Sequence, residues 1–531
     1  LPVLKKLFLW LSTAIIISLF TGLAASAQDT KFNMSYIYFG TVSSYTSLVD
    51  RTQGSLDEIA PNYFNLDADG NLVLTSVLKS TVKNGFVKDM HNRGVRVVPY
   101  LTNDWDRQTG VNALNNRTAL AAGIAKAVKD YNLDGVNVDL ENLTPSERAA
   151  YVDFVRLLRE LLPDKTIAVA VAANPNGYQT GWQGSYDYAG LSKYCDYLMI
   201  MAYDEHWYGS KPGPVSSMSF VEKSIKYALS RAPREKIVLG LPFYGRIWSD
   251  SGGYPQGYGV SNTRVEQLIS AYGGTVAADT GAMSAKASII INQKDARPVV
   301  GSQLLEPGRY TIWYDNEQTL KEKLRLVDKY GLKGAGTWSL GQETAGTWDY
   351  YRLWLNGCTF EDIQNNWAKE YILSAYLRGL VTGVSADSFS PDAPLTRAQA
   401  AAMLVRMLGY PQDSDASAGF ADTKGSWAEG YITAARKRGL VSGVGNNRFE
   451  PDRAVSRQEV AVMLNNILGY PAQGTPVFSD VSQTSNPWSA GAIAALAAKG
   501  VITGRPDGTF RPWDDITRAE MTALLIRMQA A

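Results

Sequence analysis

The chain has 531 residues, 45% of them hydrophobic, and a formal net charge of +1. That length accommodates several domains, and the near-neutral balance excludes a nucleic-acid binder that works by bulk positive charge. With only two His (His91, His206) and two Cys (Cys195, Cys358), no His/Cys metal cluster of ordinary spacing can be written, so neither metal nor cofactor is expected.

The N-terminus carries Lys5-Lys6, an apolar run from Leu7 to Leu23, and Ala25-Ser26-Ala27. This is the pattern of a secretory signal peptide over residues 1–27, with the mature chain beginning near Gln28 and no membrane span left after cleavage. An uncleaved anchor is the alternative, but the run is barely long enough to span. In an exported chain of this size the two distant Cys are read as free, mostly buried thiols.

Between residues 28 and 355, apolar runs alternate with helical patterns. Met34–Phe39, Val95–Leu101, Gly135–Asn142, Thr166–Ala172, Tyr197–Tyr203, Ile237–Tyr244 and Gly334–Trp338 read as strands. Ala119–Tyr131, Pro145–Leu162, Phe220–Arg231 and Glu317–Tyr330 read as helices between them. A weaker strand near Tyr63–Asn65 brings the strands to the number and alternation of an α/β (β/α)₈ barrel, whose active sites lie at the C-terminal strand ends. The stretch 249–311 exceeds ordinary loop length.

The fourth strand, Asp134-Gly135-Val136-Asn137-Val138-Asp139-Leu140-Glu141-Asn142, stands out. Its alternation points Val136, Val138 and Leu140 to one face and Asn137, Asp139 and Glu141 to the other, with same-face neighbours roughly 7 Å apart. On an edge strand the polar face is merely wet; on a central strand it costs several kcal/mol unless paired or used. The run resembles the D-G-x-D-x-D-x-E signature of glycoside hydrolase family 18, in which the last Glu is the catalytic acid. Asn137 departs from that signature, where Asp is usual, and is similar to the D-G-V-N-x-D-x-E form of the family's bacterial spore-wall branch. Met201-Ala202-Tyr203-Asp204 resembles the family's sixth-strand M-x-Y-D, Gly334–Trp338 its eighth strand, and Gly240–Arg246 its seventh. The long 249–311 stretch resembles the small α+β insertion some members place before the eighth strand.

The resemblance implies cleavage of β-1,4 bonds next to N-acetylglucosamine, in peptidoglycan or chitin, with retention and with the substrate's acetamido oxygen replacing a second carboxylate. Glu141 would be the acid. Asp139 would hold the acetamido N–H and raise the proton affinity of Glu141, while Tyr203 holds the acetamido carbonyl. Trp338 would stack beneath the sugar, with Asn137 and Asp204 as further substrate-side residues. The Asn137 amide is expected to donate to Asp139 and keep it ionised. Trp105, Trp182, Trp207, Tyr208 and Trp248 fall in rim loops and are candidates for stacking further sugars or for plain packing.

After a linker near 356–359, Phe360, Phe420 and Phe478 recur about every 60 residues. Each repeat (360–410, 420–470, 478–529) carries Phe-x-Asp, a Trp (Trp367, Trp427, Trp488), Gly-x-x-x-Gly, Phe-x-Pro and a helix. These helices open with Thr396-Arg397-Ala398-Gln399, Ser456-Arg457-Gln458-Glu459 and Thr517-Arg518-Ala519-Glu520, each a capping box. The repeats resemble surface-layer homology motifs, which implies a mainly helical domain holding the protein on a secondary polymer of a Gram-positive-type wall or surface layer. Arg397, Arg457 and Arg518 oppose the helix dipole and, with the three Trp, are expected to bind an anionic, pyruvylated sugar; a buried structural Arg is the alternative. Two rival functions stay open: a non-catalytic carbohydrate-binding protein, and a structural surface-layer protein with a vestigial barrel. The first loses the acidic Glu, whereas Glu141 is present.

Overall fold

The computed structural model describes residues 30–530 apart from 416–418, 473, 475 and 476. The signal-peptide expectation lies outside the described residues. The chain divides into two compact units, Lys31–Gly357 and the segment from Cys358 onward.

The first unit is built on strands β1 (Phe32–Ile37), β2 (Glu58–Leu66), β3 (split into Arg96–Val97 and Tyr100–Thr102), β4 (Gly135–Asp139), β5 (Thr166–Ala172), β6 (Tyr197–Met201), β7 (Ile237–Pro242) and β8 (Gly334–Trp338). Successive strands pair in parallel and β8 returns to β1, closing an eight-stranded (β/α)₈ barrel. Helices cover the outer face, so strands such as β5 (Thr-Ile-Ala-Val-Ala-Val-Ala) are buried on both sides and read as continuous apolar runs. Arg148–Leu161 shows how a covering helix is specified: Tyr151, Phe154, Val155 and Leu158 form one buried stripe. Two strands open with glycine because the neighbouring backbone comes too close for a side chain: a Cβ at Gly135 would lie 1.9 Å from the Thr166 carbonyl oxygen, and one at Gly334 1.7 Å from that of Phe32. The interior is plugged by Met34, Tyr36, Tyr100, Tyr197, Met199 and Val238.

The second strand, expected to be weak, has nine residues. The insertion is also larger than its expected bounds. Tyr244–Ser249, Gln256–Ser261, Thr275–Asp279, Ser284–Ile291 and Gly308–Tyr314 form one five-stranded antiparallel sheet, backed by helix Asn262–Ala271 over a core of Ile247, Val265, Leu268, Ile289 and Ile312.

Among the described residues the second unit has six α-helices: α1 (Lys369–Leu377), α2 (Arg397–Met407), α3 (Glu429–Lys437), α4 (Arg457–Leu468), α5 (Ala490–Ala498) and α6 (Arg518–Ala530). They pack across repeats, α2 with α3, α4 with α5, and α6 with α1, so the three repeats close into a ring. The repeated residues have physical reasons. The Asp of each Phe-x-Asp accepts two backbone N–H groups at the Phe-x-Pro turn; Asp422, for example, takes Phe449 N and Glu450 N at 2.8 Å each. The second glycine of each Gly-x-x-x-Gly lies against the repeat's first Phe ring; a Cβ at Gly383, Gly443 or Gly504 would come within 2.6 Å of it. All three capping boxes form. Cys195 and Cys358 are free and buried, as expected.

One buried charge sets a stability test. Glu58, at the start of β2, is fully buried; it accepts from the Tyr197 hydroxyl, and Arg96 Nε lies 3.3 Å away. Burial pushes its carboxyl up to about 7, against the pull of Arg96 and Tyr197. A carboxyl whose pKa is raised on folding binds its proton more tightly in the folded state, so its contribution falls as pH rises from the unfolded pKa toward 7. Glu58→Gln should therefore leave the barrel's Tm nearly unchanged at pH 5 and raise it at pH 8, by about 1–3 kcal/mol of stability. Parallel Tm–pH curves for the two proteins would contradict this.

Candidate active site

Asn137 and Asp139 project inward from β4, and Glu141 follows two residues past the strand end, at the C-terminal mouth. The predicted division of faces holds: Asn137 Oδ1 accepts from the interior Tyr36 hydroxyl at 3.3 Å. Asp139 is buried, and burial together with the nearby Asp104 pushes its carboxyl up to about 7. Glu141 is held well above the ordinary glutamate range, first by burial and then by the charges of Asp139 and Asp204. Asp139 and Asp204 thus lie near enough to Glu141 for their charges to raise its proton affinity.

One expectation about this strand needs correction. Asn137 makes no hydrogen bond to Asp139; its Nδ2 and Asp139 Oδ1 both lack a partner among the described residues. Asp139 is therefore not kept ionised by the amide. Asn137 is completely buried, on the same face of β4 as Asp139.

Tyr203 follows β6, and burial followed by Tyr244, Asp139 and Glu141 raises its pKa well above that of free tyrosine. Its hydroxyl is thus a neutral donor beside the carboxyls. Trp338 ends β8 and rests on the interior plug, its ring centroid 5.3 Å from Tyr36 and 6.1 Å from Tyr100. The exposed Tyr38 stacks alongside it at 6.0 Å and 29°. Asp204 adopts φ 59° and is gripped by the insertion: its Oδ1 accepts from Tyr244 Oη at 2.6 Å, Arg246 Nε at 2.9 Å and Arg246 Nη2 at 2.7 Å. This explains the Tyr-Gly-Arg after the seventh strand. Glu141, Asp139, Tyr203, Asp204 and Trp338 are brought to one mouth.

Of the rim aromatics, Trp248 is buried and donates its indole N–H to the Ser210 carbonyl, which ends its candidacy as a sugar platform. Trp105, Trp207 and Tyr208 are exposed, and Trp105 meets Trp182 edge-on at 5.1 Å. Sequence reasoning missed Asn103 and Asp104, although a polar pair directly after the apolar run of the third strand was the signal for them.

In the repeats, the expectation that Arg397, Arg457 and Arg518 are free anion ligands is corrected. Arg397 is 3% and Arg518 8% exposed. Each Nε donates at 2.8 Å to the carbonyl of a Phe in the next repeat around the ring, Phe449, Phe510 and Phe389 in turn, and each guanidinium lies over that Phe ring. Arg397 and Arg457 also bond Glu459 and Glu520 at 2.7 and 2.8 Å, the Glu of the next capping box. The arginines are struts between repeats. Trp367, Trp427 and Trp488 are exposed. A cavity of about 580 Å³ is lined by Trp367, Arg457, Arg505, Phe510, Glu520 and Arg527, among others.

Comparison with known proteins bears on both units. The family described as Glycosyl hydrolases family 18 matches residues 34–343, and the S-layer homology domain matches 359–401, 419–461 and 477–522. An uncharacterized glycosylase, YvbX, of Bacillus subtilis (strain 168) is 26% identical over 66% of this chain and 98% of its own length. A cortical fragment-lytic enzyme of the same organism is 28% identical over 44% of this chain and 53% of its length, so the chain spans about half of that relative. The crystal structure of a chitinase from Chromobacterium violaceum ATCC 12472 superposes with a TM-score of 0.53 at 24% identity, covering 61% of this chain and 99% of that one. With its closed barrel and the carboxyls gathered at its mouth, the chain belongs to glycosyl hydrolases family 18 and carries three S-layer homology domains.

Proposed function

We propose that the barrel hydrolyses β-1,4 bonds next to N-acetylglucosamine with retention, using the substrate's acetamido group as the internal nucleophile. The observation that carries this reading is the place of Glu141, partly buried two residues past the end of β4 at the barrel's mouth, where desolvation and the charges of Asp139 and Asp204 raise its pKa. A glycosidic oxygen leaves only when protonated, and a general acid must keep its proton at working pH. Glu141 gives that proton to the leaving oxygen. As positive charge develops at the anomeric carbon, the acetamido oxygen closes on it, with Asp139 taking the acetamido N–H and the Tyr203 hydroxyl donating to the carbonyl. Asp139 is then the negative charge facing the cationic ring. Water activated by the deprotonated Glu141 opens the intermediate and restores the acid. Trp338 with Tyr38 forms the floor on which the sugar lies.

Peptidoglycan is the favoured substrate over chitin, supported by Asn137 in place of Asp and by the cortical fragment-lytic relative. The repeats then hold the exported enzyme on an anionic secondary polymer of the wall. The cavity between repeats supports this better than the strut arginines do. It adds Arg505 and Arg527 to the exposed Trp367, and Arg505 stands where the other repeats have Val384 and Val444. The equivalents of Arg527 are Arg406 and Asn466, so the three inter-repeat grooves are not chemically alike.

Glu141→Gln should lower turnover at least about 100-fold with the barrel still folded; near-native turnover in the pure variant would remove Glu141 from the mechanism. Because the Asp139 charge raises the proton affinity of Glu141, Asp139→Asn should move the alkaline limb of the kcat/KM–pH profile to lower pH as well as reduce its height. An unmoved limb would break that link. For anchoring, the double change Arg505→Val, Arg527→Ala should release the protein from wall preparations while hydrolysis of soluble oligomers continues at the native rate. Retention equal to wild type would place polymer binding elsewhere.

A further inference from the structure

The segment that carries Glu141 lies beyond the end of β4, where the strand ladder has stopped: the last registered pair with β3 is Thr102 with Asp139. Its backbone is nevertheless saturated, by side chains. The Tyr186 hydroxyl donates to the Leu140 carbonyl at 3.0 Å, and the Leu140 N–H reaches the Tyr151 hydroxyl at 3.4 Å. Asn103 then takes both backbone groups of Glu141 with one amide: its Oδ1 accepts the Glu141 N–H at 2.9 Å, and its Nδ2 donates to the Glu141 carbonyl at 2.9 Å. Arg107 closes the far side, with Nε donating to the Asn142 carbonyl at 2.7 Å and Nη2 to Asn142 Oδ1 at 2.9 Å. Asn142 Nδ2 in turn donates to the Trp105 carbonyl at 2.9 Å.

This arrangement is held in spite of backbone cost. Asp104, Trp105 and Asn142 are non-glycine residues at φ 46°, 64° and 58°, a left-handed region that side chains disfavour. Such conformations persist where the surroundings over-determine them. Asn103 is buried, and a Cβ at Gly110 would stand 2.9 Å from its Nδ2, so the glycine in the following helix leaves the amide its place.

We propose that Asn103 and Arg107 are positioning residues for the hydrolysis, clamping residues 140–142 so that the Glu141 carboxyl is fixed in its place at the mouth beside Asp139. This inference rests on Glu141 being the acid. The same short loop supplies Asp104, whose charge raises the proton affinity of Asp139, and the exposed Trp105, so acid, electrostatic partner and rim aromatic move as one piece. Freed from Asn103, the acid turns toward water. Its pKa then falls toward the ordinary value and its reach to the glycosidic oxygen varies.

The test is a pair of single variants, Asn103→Ala and Arg107→Ala, assayed on a soluble N-acetylglucosamine oligomer across pH beside wild type and Glu141→Gln. Asn103→Ala should lower kcat at least tenfold with KM within about twofold, and shift the alkaline limb of kcat to lower pH. Arg107→Ala, at an exposed position that tolerates truncation, should move both readouts in the same direction by about threefold in kcat. A lowered Tm with kcat and the alkaline limb unchanged in Arg107→Ala, or in a folded Asn103→Ala, would reduce the clamp to a stabilising contact and overturn the proposal. Full activity in Glu141→Gln would instead overturn the assignment of the acid.

Discussion

The mouth of this barrel depends on two carboxyl groups drawn out of water, Asp139 buried at the end of β4 and Glu141 partly buried just past it. A carboxylate taken out of water with no cation beside it is costly, and the group answers by holding its proton. For Glu141 the charges of Asp139 and Asp204 add to the effect of desolvation. Asp204 is itself fixed by Arg246 and Tyr244 of the insertion, whose basic partner is thereby tied to Asp204. The insertion thus fixes a carboxyl at the mouth of the barrel.

The barrel was legible because its signals are periodic. Strands buried on both faces leave apolar runs, covering helices leave stripes, and the polar alternation on β4 had no structural use in a closed barrel except a site. The second strand was nearly missed because Glu58 and Pro61 break its apolar run, and both belong: Glu58 is neutralised by burial and Pro61 pairs in a parallel ladder with Ile37. The bonds around the site were less legible. Alternation places Asn137 next to Asp139 on one face but does not say that the Tyr36 hydroxyl, arriving from β1, takes the Asn137 oxygen. Nor does spacing in the chain show that Asn103 grips Glu141, since that contact joins residues 38 apart through a loop of unusual φ.

The repeats teach the opposite lesson. Their periodic residues were found at once, and the reason for most of them is local: a glycine under a ring, an Asp capping a turn, a capping box. The arginines were misread because their partners are not local. A guanidinium at a helix start looks misplaced within its own repeat, whereas in the ring it meets the Phe carbonyl and ring of the next repeat, and for Arg397 and Arg457 a Glu as well. Each contact needs a neighbouring repeat, and that of Arg518 with Phe389 needs the ring to close. The third interface lacks the Glu because repeat one has Gln399 at that place, so Arg518 keeps only carbonyl partners, Phe389 and Thr382, among the described residues.

The account turns on one group holding its proton, and that is directly measurable. With glutamate carboxyl carbons labelled by ¹³C, the resonance missing from Glu141→Gln identifies Glu141 in the spectrum of the ligand-free protein. Followed through a pH titration, it should titrate well above the ordinary glutamate value of about 4.3. A resonance that titrates near the ordinary value would contradict the claim that burial and its acidic neighbours hold the catalytic proton.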